Sequence, residues 1–174
     1  IQCVALTFDG RIVLGHSGDG QVGTASLSIW DGKSGKQLHT LYGLKGAPSC
    51  LAAVDCQITS NTYSYVFCGD SVGDVTLWNT SEGNMVCALP APVKSETKQA
   101  GNKGRIVVSM KATVARVTNS FVTTVIAGFM DGRVVVWHAD SSEGNPDVSV
   151  HVRGSFAYGS LSAVRALAAA SWQR

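Results

Sequence analysis

Charge is scarce in this chain. Only 15% of its 174 residues are Asp, Glu, Lys or Arg, and the formal net charge is +2. So neutral a balance argues against a nucleic-acid footprint. With 45% hydrophobic residues beside so little charge, a disordered chain is excluded as well. No apolar run approaches the roughly 18 residues of a membrane span. There is no Cys-x-x-Cys and no Cys/His cluster at zinc spacing, so no metal site and no cofactor is expected. The five cysteines (Cys3, Cys50, Cys56, Cys68 and Cys87) are odd in number and mostly sit in apolar runs. Reduced core thiols and a cytoplasmic location are the expectation.

Catalytic signatures are missing too. His16, His39, His138 and His151 are scattered, and no serine has a nucleophile-elbow context, so no catalytic residue is expected and the chain is read as a non-enzyme. Gly18-Asp19-Gly20-Gln21-Val22-Gly23 matches Gly-x-Gly-x-x-Gly. A strand-like run ending at Trp30 follows it where a dinucleotide site needs a helix, so the glycines are read as turn residues. Asn79-Thr80-Ser81 fits a glycosylation acceptor but is read as a tight turn.

What the chain does have is self-similarity. Leu27-Ser28-Ile29-Trp30-Asp31, Val75-Thr76-Leu77-Trp78-Asn79 and Val134-Val135-Val136-Trp137-His138 each close a β-type run with Trp, and Gly/Asp turn chemistry precedes each. Nine residues separate Gly69 from Trp78 and again Gly128 from Trp137. From Gly15 to Trp30 the interval is 15, so the first repeat carries about six extra residues at 20–25. Asp9-Gly10 between apolar runs is a strong hairpin signal. The pattern predicts four short antiparallel strands per repeat. In the second repeat a polar loop is expected at 59–64, and in the third a turn at 139–145.

These residues resemble the WD40 family of β-propeller repeats, in which about 40 to 45 residues ending in Trp-Asp form one four-stranded blade. The Gly-x-x-Asp-Gly-x-Val-x-Val-Trp string through Asp131 and Trp137 is the nearest copy, the Trp78 region is next, and Trp-Asp is intact only at Trp30-Asp31. The resemblance implies an all-β fold, a partial or half β-propeller of WD40-like blades: blade 1 at about 1–42, blade 2 at 49–90, a loop at 91–105, blade 3 at 106–153, and the start of a fourth at 161–174. Trp30, Asp31, Trp78, Trp137 and Asp131 are then structural repeat residues, with the Trp side chains packed between blades. The role of Trp172 is left open.

Three blades and a fraction are few for a closed ring. The chain begins at Ile1 without Met, and a piece of a longer propeller is expected. A homodimer of half-rings and a partner-capped open array are the alternatives. The extra residues 20–25 and the inter-blade segments 43–48, 90–105 and 154–160 fall on one face of such a disc, and insertions on one face mark a binding face. Candidate partner-binding residues there are Tyr42, Lys45, Lys94, Lys98, Lys103, Arg105 and Tyr158. The functional expectation is a non-catalytic protein–protein interaction scaffold. The alternatives are an anionic-lipid or phosphoinositide surface using the basic loop 94–105, and an accessory domain of a larger enzyme.

Overall fold

The computed structural model describes residues 1–19, 21, 23–58, 61–90, 106–117, 120–142, 149–157, 164 and 167; for 56–58, 61–63, 116, 117, 120, 141, 142 and 149–157 it describes the backbone alone. The fold is all-β, and the described residues hold no helix. Strands β1 (Cys3–Leu6), β2 (Arg11–His16), β3 (Ser26–Asp31) and β4 (Gln37–Tyr42) form the first sheet. Strands β5 (Pro48–Ile58), β6 (Asn61–Asp70), β7 (Val75–Asn79) and β8 (Asn84–Ala88) form the second. Strands β9 (Val107–Val117), β10 (Ser120–Phe129), β11 (Arg133–Ser142) and β12 (Ser149–Ala157) form the third. Each sheet is an antiparallel meander whose strands pair in chain order.

Turn chemistry sets these limits. Asp9-Gly10 closes the first hairpin with Gly10 at φ 85°, where a Cβ is disfavoured, and the Gly10 N–H donates to the Thr7 carbonyl at 3.1 Å. At the end of β3, Asp31 Oδ1 accepts from the Lys33 N–H at 3.0 Å and Oδ2 from the Ser34 hydroxyl at 2.6 Å. Asn79 plays the same part at the end of β7, its Oδ1 accepting from the Ser81 and Glu82 N–H groups at 2.9 and 3.2 Å. What the turn after Trp requires is therefore a short side-chain acceptor, which Asp and Asn both provide. His138 stands at that place in the third sheet, and there the strand runs on: β11 extends through Ser142. The turn expected at 139–145 is corrected accordingly. So is the polar loop expected at 59–64, because β6 already begins at Asn61, with Ile58 paired to Asn61. Residues 154–157, expected in a linker, belong to β12.

The sheets stack in chain order with a fixed polarity. Side chains alternate between the two faces of each strand. Val13, Leu27, Ile29 and Leu41 of the first sheet bury against Val66, Cys68 and Trp78 of the second. The other face of the second sheet, with Ala52, Val54, Phe67, Val75 and Leu77, buries against Ala112, Val125, Ala127, Val135 and Trp137 of the third. Each sheet thus turns its Trp face toward the sheet before it, and the opposite face toward the sheet after it. Between sheets, β1 lies against β5 and β5 against β9. The fourth strands β4 and β8 make no comparable approach.

One joint repeats at every stacking step. A Cβ on Gly69 would stand 2.7 Å from Val107, and one on Gly128 would stand 2.6 Å from Val164. On Gly15 it would meet Cys3 Sγ at 2.5 Å and Pro48 at 3.0 Å. At Gly15 and Gly69 the strand opening the next sheet presses onto a bare backbone, and at Gly128 Val164 does so. Of the main-chain bonds nearby, Ser71 N–H to Ala47 O and Met130 N–H to Ile106 O, both 2.9 Å, extend the first hairpins of the second and third sheets, while Val164 N–H to Phe129 O at 3.2 Å accompanies the contact at Gly128.

Candidate functional site

The antiparallel order puts the β2–β3, β6–β7 and β10–β11 connections and the linkers between sheets at one end of the molecule. Direct contacts tie two of these together. In the linker after β4, Lys45 Nζ lies 2.7 Å from Asp74 Oδ2 in the β6–β7 turn. The Gly46 N–H donates to Asp70 Oδ2 at 3.1 Å, and the Ala47 N–H to the Ser71 hydroxyl at 3.0 Å. Asp70 is buried, and its Oδ1 also accepts from the Val72 and Asp74 N–H groups at 3.0 and 2.9 Å. Burial pushes its carboxyl above the usual range, although the backbone donors pull the other way. The Asp74 carboxylate holds the Lys45 ammonium above its ordinary value. Within residues 17–25, the Gln21 N–H donates to Asp19 Oδ1 at 3.1 Å and the Asp19 N–H to the Thr24 hydroxyl at 3.3 Å. This end is thus braced by its own polar groups.

The expected contact residues fare unequally. Tyr42 is exposed at the end of β4. Lys45 is exposed at its charged tip but already paired with Asp74. Lys94, Lys98, Lys103, Arg105, Tyr158 and Trp172, together with most of 163–168, lie outside the described residues. Two exposed apolar side chains at this end, Val72 and Met130, escaped the sequence reading. They sit one place apart in the β6–β7 and β10–β11 turns, Met130 matching Ser71 and Val72 matching Asp131, so no repetition in the sequence marks them.

The repeat residues differ in their surroundings. Trp78 and Trp137 are buried between sheets. Trp78 Nε1 donates to the Thr76 hydroxyl at 2.8 Å, and Trp137 Nε1 to the Pro90 carbonyl at 3.0 Å. Among the described residues no sheet lies over Trp30; its Nε1 donates to Ser28 Oγ at 2.8 Å, and Ser28 Oγ lies 2.7 Å from His16 Nε2. Asp131 accepts from the Arg133 N–H at 3.2 Å and pairs with its Nε at 2.7 Å, while the guanidinium lies 5.1 Å from the Phe129 ring centre.

Among the described residues no group of three His, Cys, Asp or Glu side chains is placed to hold a metal, and no helix is long and apolar enough to cross a membrane. Cys3, Cys50, Cys68 and Cys87 carry free thiols. Burial pushes Cys3 up to about 11 and Cys50 to about 12, and raises Cys68 and Cys87 as well.

No protein-family model matches the chain, and no curated protein matches it. Among solved structures it is similar to the crystal structure of the computationally designed Ika4 protein. The identity is 18% and the TM-score 0.47, with 87% of this chain and 89% of that chain covered.

Proposed function

We propose that the chain is a WD40-like β-propeller segment acting as a non-catalytic protein-interaction scaffold. The observation that carries this reading is the stacking of three meanders with one polarity, their first strands side by side and their fourth strands apart. Wedge-like stacking of that kind is how sheets are laid around an axis. The scaffold role follows from the braced end: rigid turns carry exposed Tyr42, Val72 and Met130, a combination suited to docking an apolar or aromatic anchor of a partner.

The test is comparative affinity enrichment from source-cell extract, followed by direct binding of each purified candidate. Wild type is set against Tyr42→Ala, Val72→Asp and Met130→Asp. The expected result is a partner that binds wild type and is lost from these variants, yet persists with Lys33→Ala and Gln37→Ala at the opposite end. Partners insensitive to all three substitutions would overturn the assignment of this end.

A further inference from the structure

Among the described residues, nothing stacks on one face of the first sheet. Register pairs Val4 with Leu14 and Ser28, and Leu6 with Ile12 and Trp30, so these side chains share the face turned away from the second sheet. Matched by position, they correspond to Leu51, Ala53, Val66, Cys68, Thr76 and Trp78 of the second sheet. Val66, Cys68 and Trp78 are 0–2% exposed because the first sheet covers them, whereas their counterparts Ile12, Leu14 and Trp30 are half-buried; Leu51 and Ala53 are half-buried, and their counterparts Val4 and Leu6 are 63% and 69% exposed. The same apolar pattern is present, and what differs is the covering sheet.

The complementary face is also on this chain. Val13, Leu27 and Ile29, which cover Trp78, match Ile126, Val134 and Val136 of the third sheet. Val13, Leu27 and Ile29 are fully buried, while Ile126, Val134 and Val136 remain half-buried. One end of the stack therefore carries an uncovered Trp face, and the other end carries the kind of surface that covers such faces twice within the molecule.

We propose that a second copy of this chain covers the Trp30 face, its third sheet stacking there head to tail in the geometry of the two internal joints. The inference rests on the stacking joint alone and stands or falls independently of any partner at the Tyr42 end. Such an interface is heterologous, each copy using a different surface, and it closes if the accumulated rotation completes a ring. Six stacked sheets lie within the range of closed propellers. At the seam, the pocket over Gly128 has two claimants: Val164 of its own chain and Ile1 of the second copy, which precedes Cys3 as Pro48 precedes Cys50. Val164 is held by the bond from its N–H to Phe129 O, whereas β1 is paired along β2 at four positions and the Gln2 N–H adds a bond to Gly15 O. The seam closes only where Ile1 takes the place of Val164 over Gly128.

Light scattering on a sizing column, with the full chain, tests this. Wild type is expected to run as a discrete dimer that dissociates on dilution. Leu6→Glu on the Trp30 face and Val136→Lys on the third sheet should each weaken association by roughly tenfold or more, since each buries a charge in the seam. A mixture of the two variants should restore a 1:1 dimer, because one intact seam remains between them. Circular dichroism and a thermal melt confirm each variant's fold, and Val122→Lys, on the same face, replaces Val136→Lys should the latter unfold. A wild-type monomer at every concentration would overturn the proposal. So would a dimer that Leu6→Glu abolishes and third-sheet variants leave intact, since that marks a symmetric contact of two Trp30 faces.

Discussion

Gly69→Ala should be among the most damaging small substitutions in this chain, and its cost should be linked to one neighbour. Gly69 does not need its glycine for a left-handed backbone; it needs it for space. A Cβ there would stand 2.7 Å from both Cβ and Cγ1 of Val107 and 2.9 Å from Cys50 Sγ. The new atom is rooted in the β6 backbone, and Val107 is fully buried at the start of β9, so neither side has free room. Overpacking of this kind costs about 2–3 kcal/mol. Val107→Ala alone removes two methyl groups from a buried site and costs about 2 kcal/mol. In the double variant the added methyl moves into the space that Val107 gives up. The combined loss should then fall short of the sum by about 1 kcal/mol or more, beyond the roughly 0.5 kcal/mol scatter of independent sites. Urea unfolding of the four proteins followed by tryptophan fluorescence measures this directly. Additive losses would refute the idea that the second and third sheets meet through this contact.

Asn79→Asp should leave stability nearly unchanged, whereas Asn79→Ala strands two backbone N–H donors and should cost about 1–2 kcal/mol in the same assay; equal losses would sink the acceptor argument. Asp70 gives a pH signature. Its folded-state carboxyl holds a proton more tightly than in the unfolded chain, so its contribution to stability falls as pH rises from the ordinary carboxylate range through the raised value. Asp70→Asn lacks that slope, and its stability relative to wild type should therefore improve as pH rises above the ordinary carboxylate range; a flat or falling difference contradicts the buried carboxylate. Cys3, Cys50 and Cys68 should resist iodoacetamide at pH 8 and react only after unfolding, because their thiols titrate far above that pH. Mass spectrometry of the folded protein showing rapid labelling at Cys50 would contradict the packing described for β5.

The strand plan was legible because its signals are local. Asp9-Gly10, the Trp-terminated runs and the nine-residue Gly–Trp spacing each act within one hairpin, and the sheets form where they indicate. Boundaries failed where the deciding feature was an absence. His138 replaces the turn acceptor, and β11 consequently runs on to Ser142, four residues past where the Asp31 and Asn79 repeats predict a turn. The joint was visible only in part. Gly15, Gly69 and Gly128 were evident as spacing markers, but their pairing with Pro48, Val107 and Val164 is a contact between units and leaves no periodic trace within one. Lys45 shows a related limit: its charge is plain in the sequence, and its partner Asp74, 29 positions away, is not.

The glycine joint also bears on how such a chain can change length. Each unit carries a bare strand position for its successor and a side chain that fills the position left by its predecessor. Duplicating or deleting one whole unit therefore leaves every remaining neighbour with a complete contact, whereas a partial duplication strands an unfilled glycine or an unhoused side chain. Copy number can drift in steps of one sheet while the stacking geometry stays the same, and growth is tolerated at either terminus.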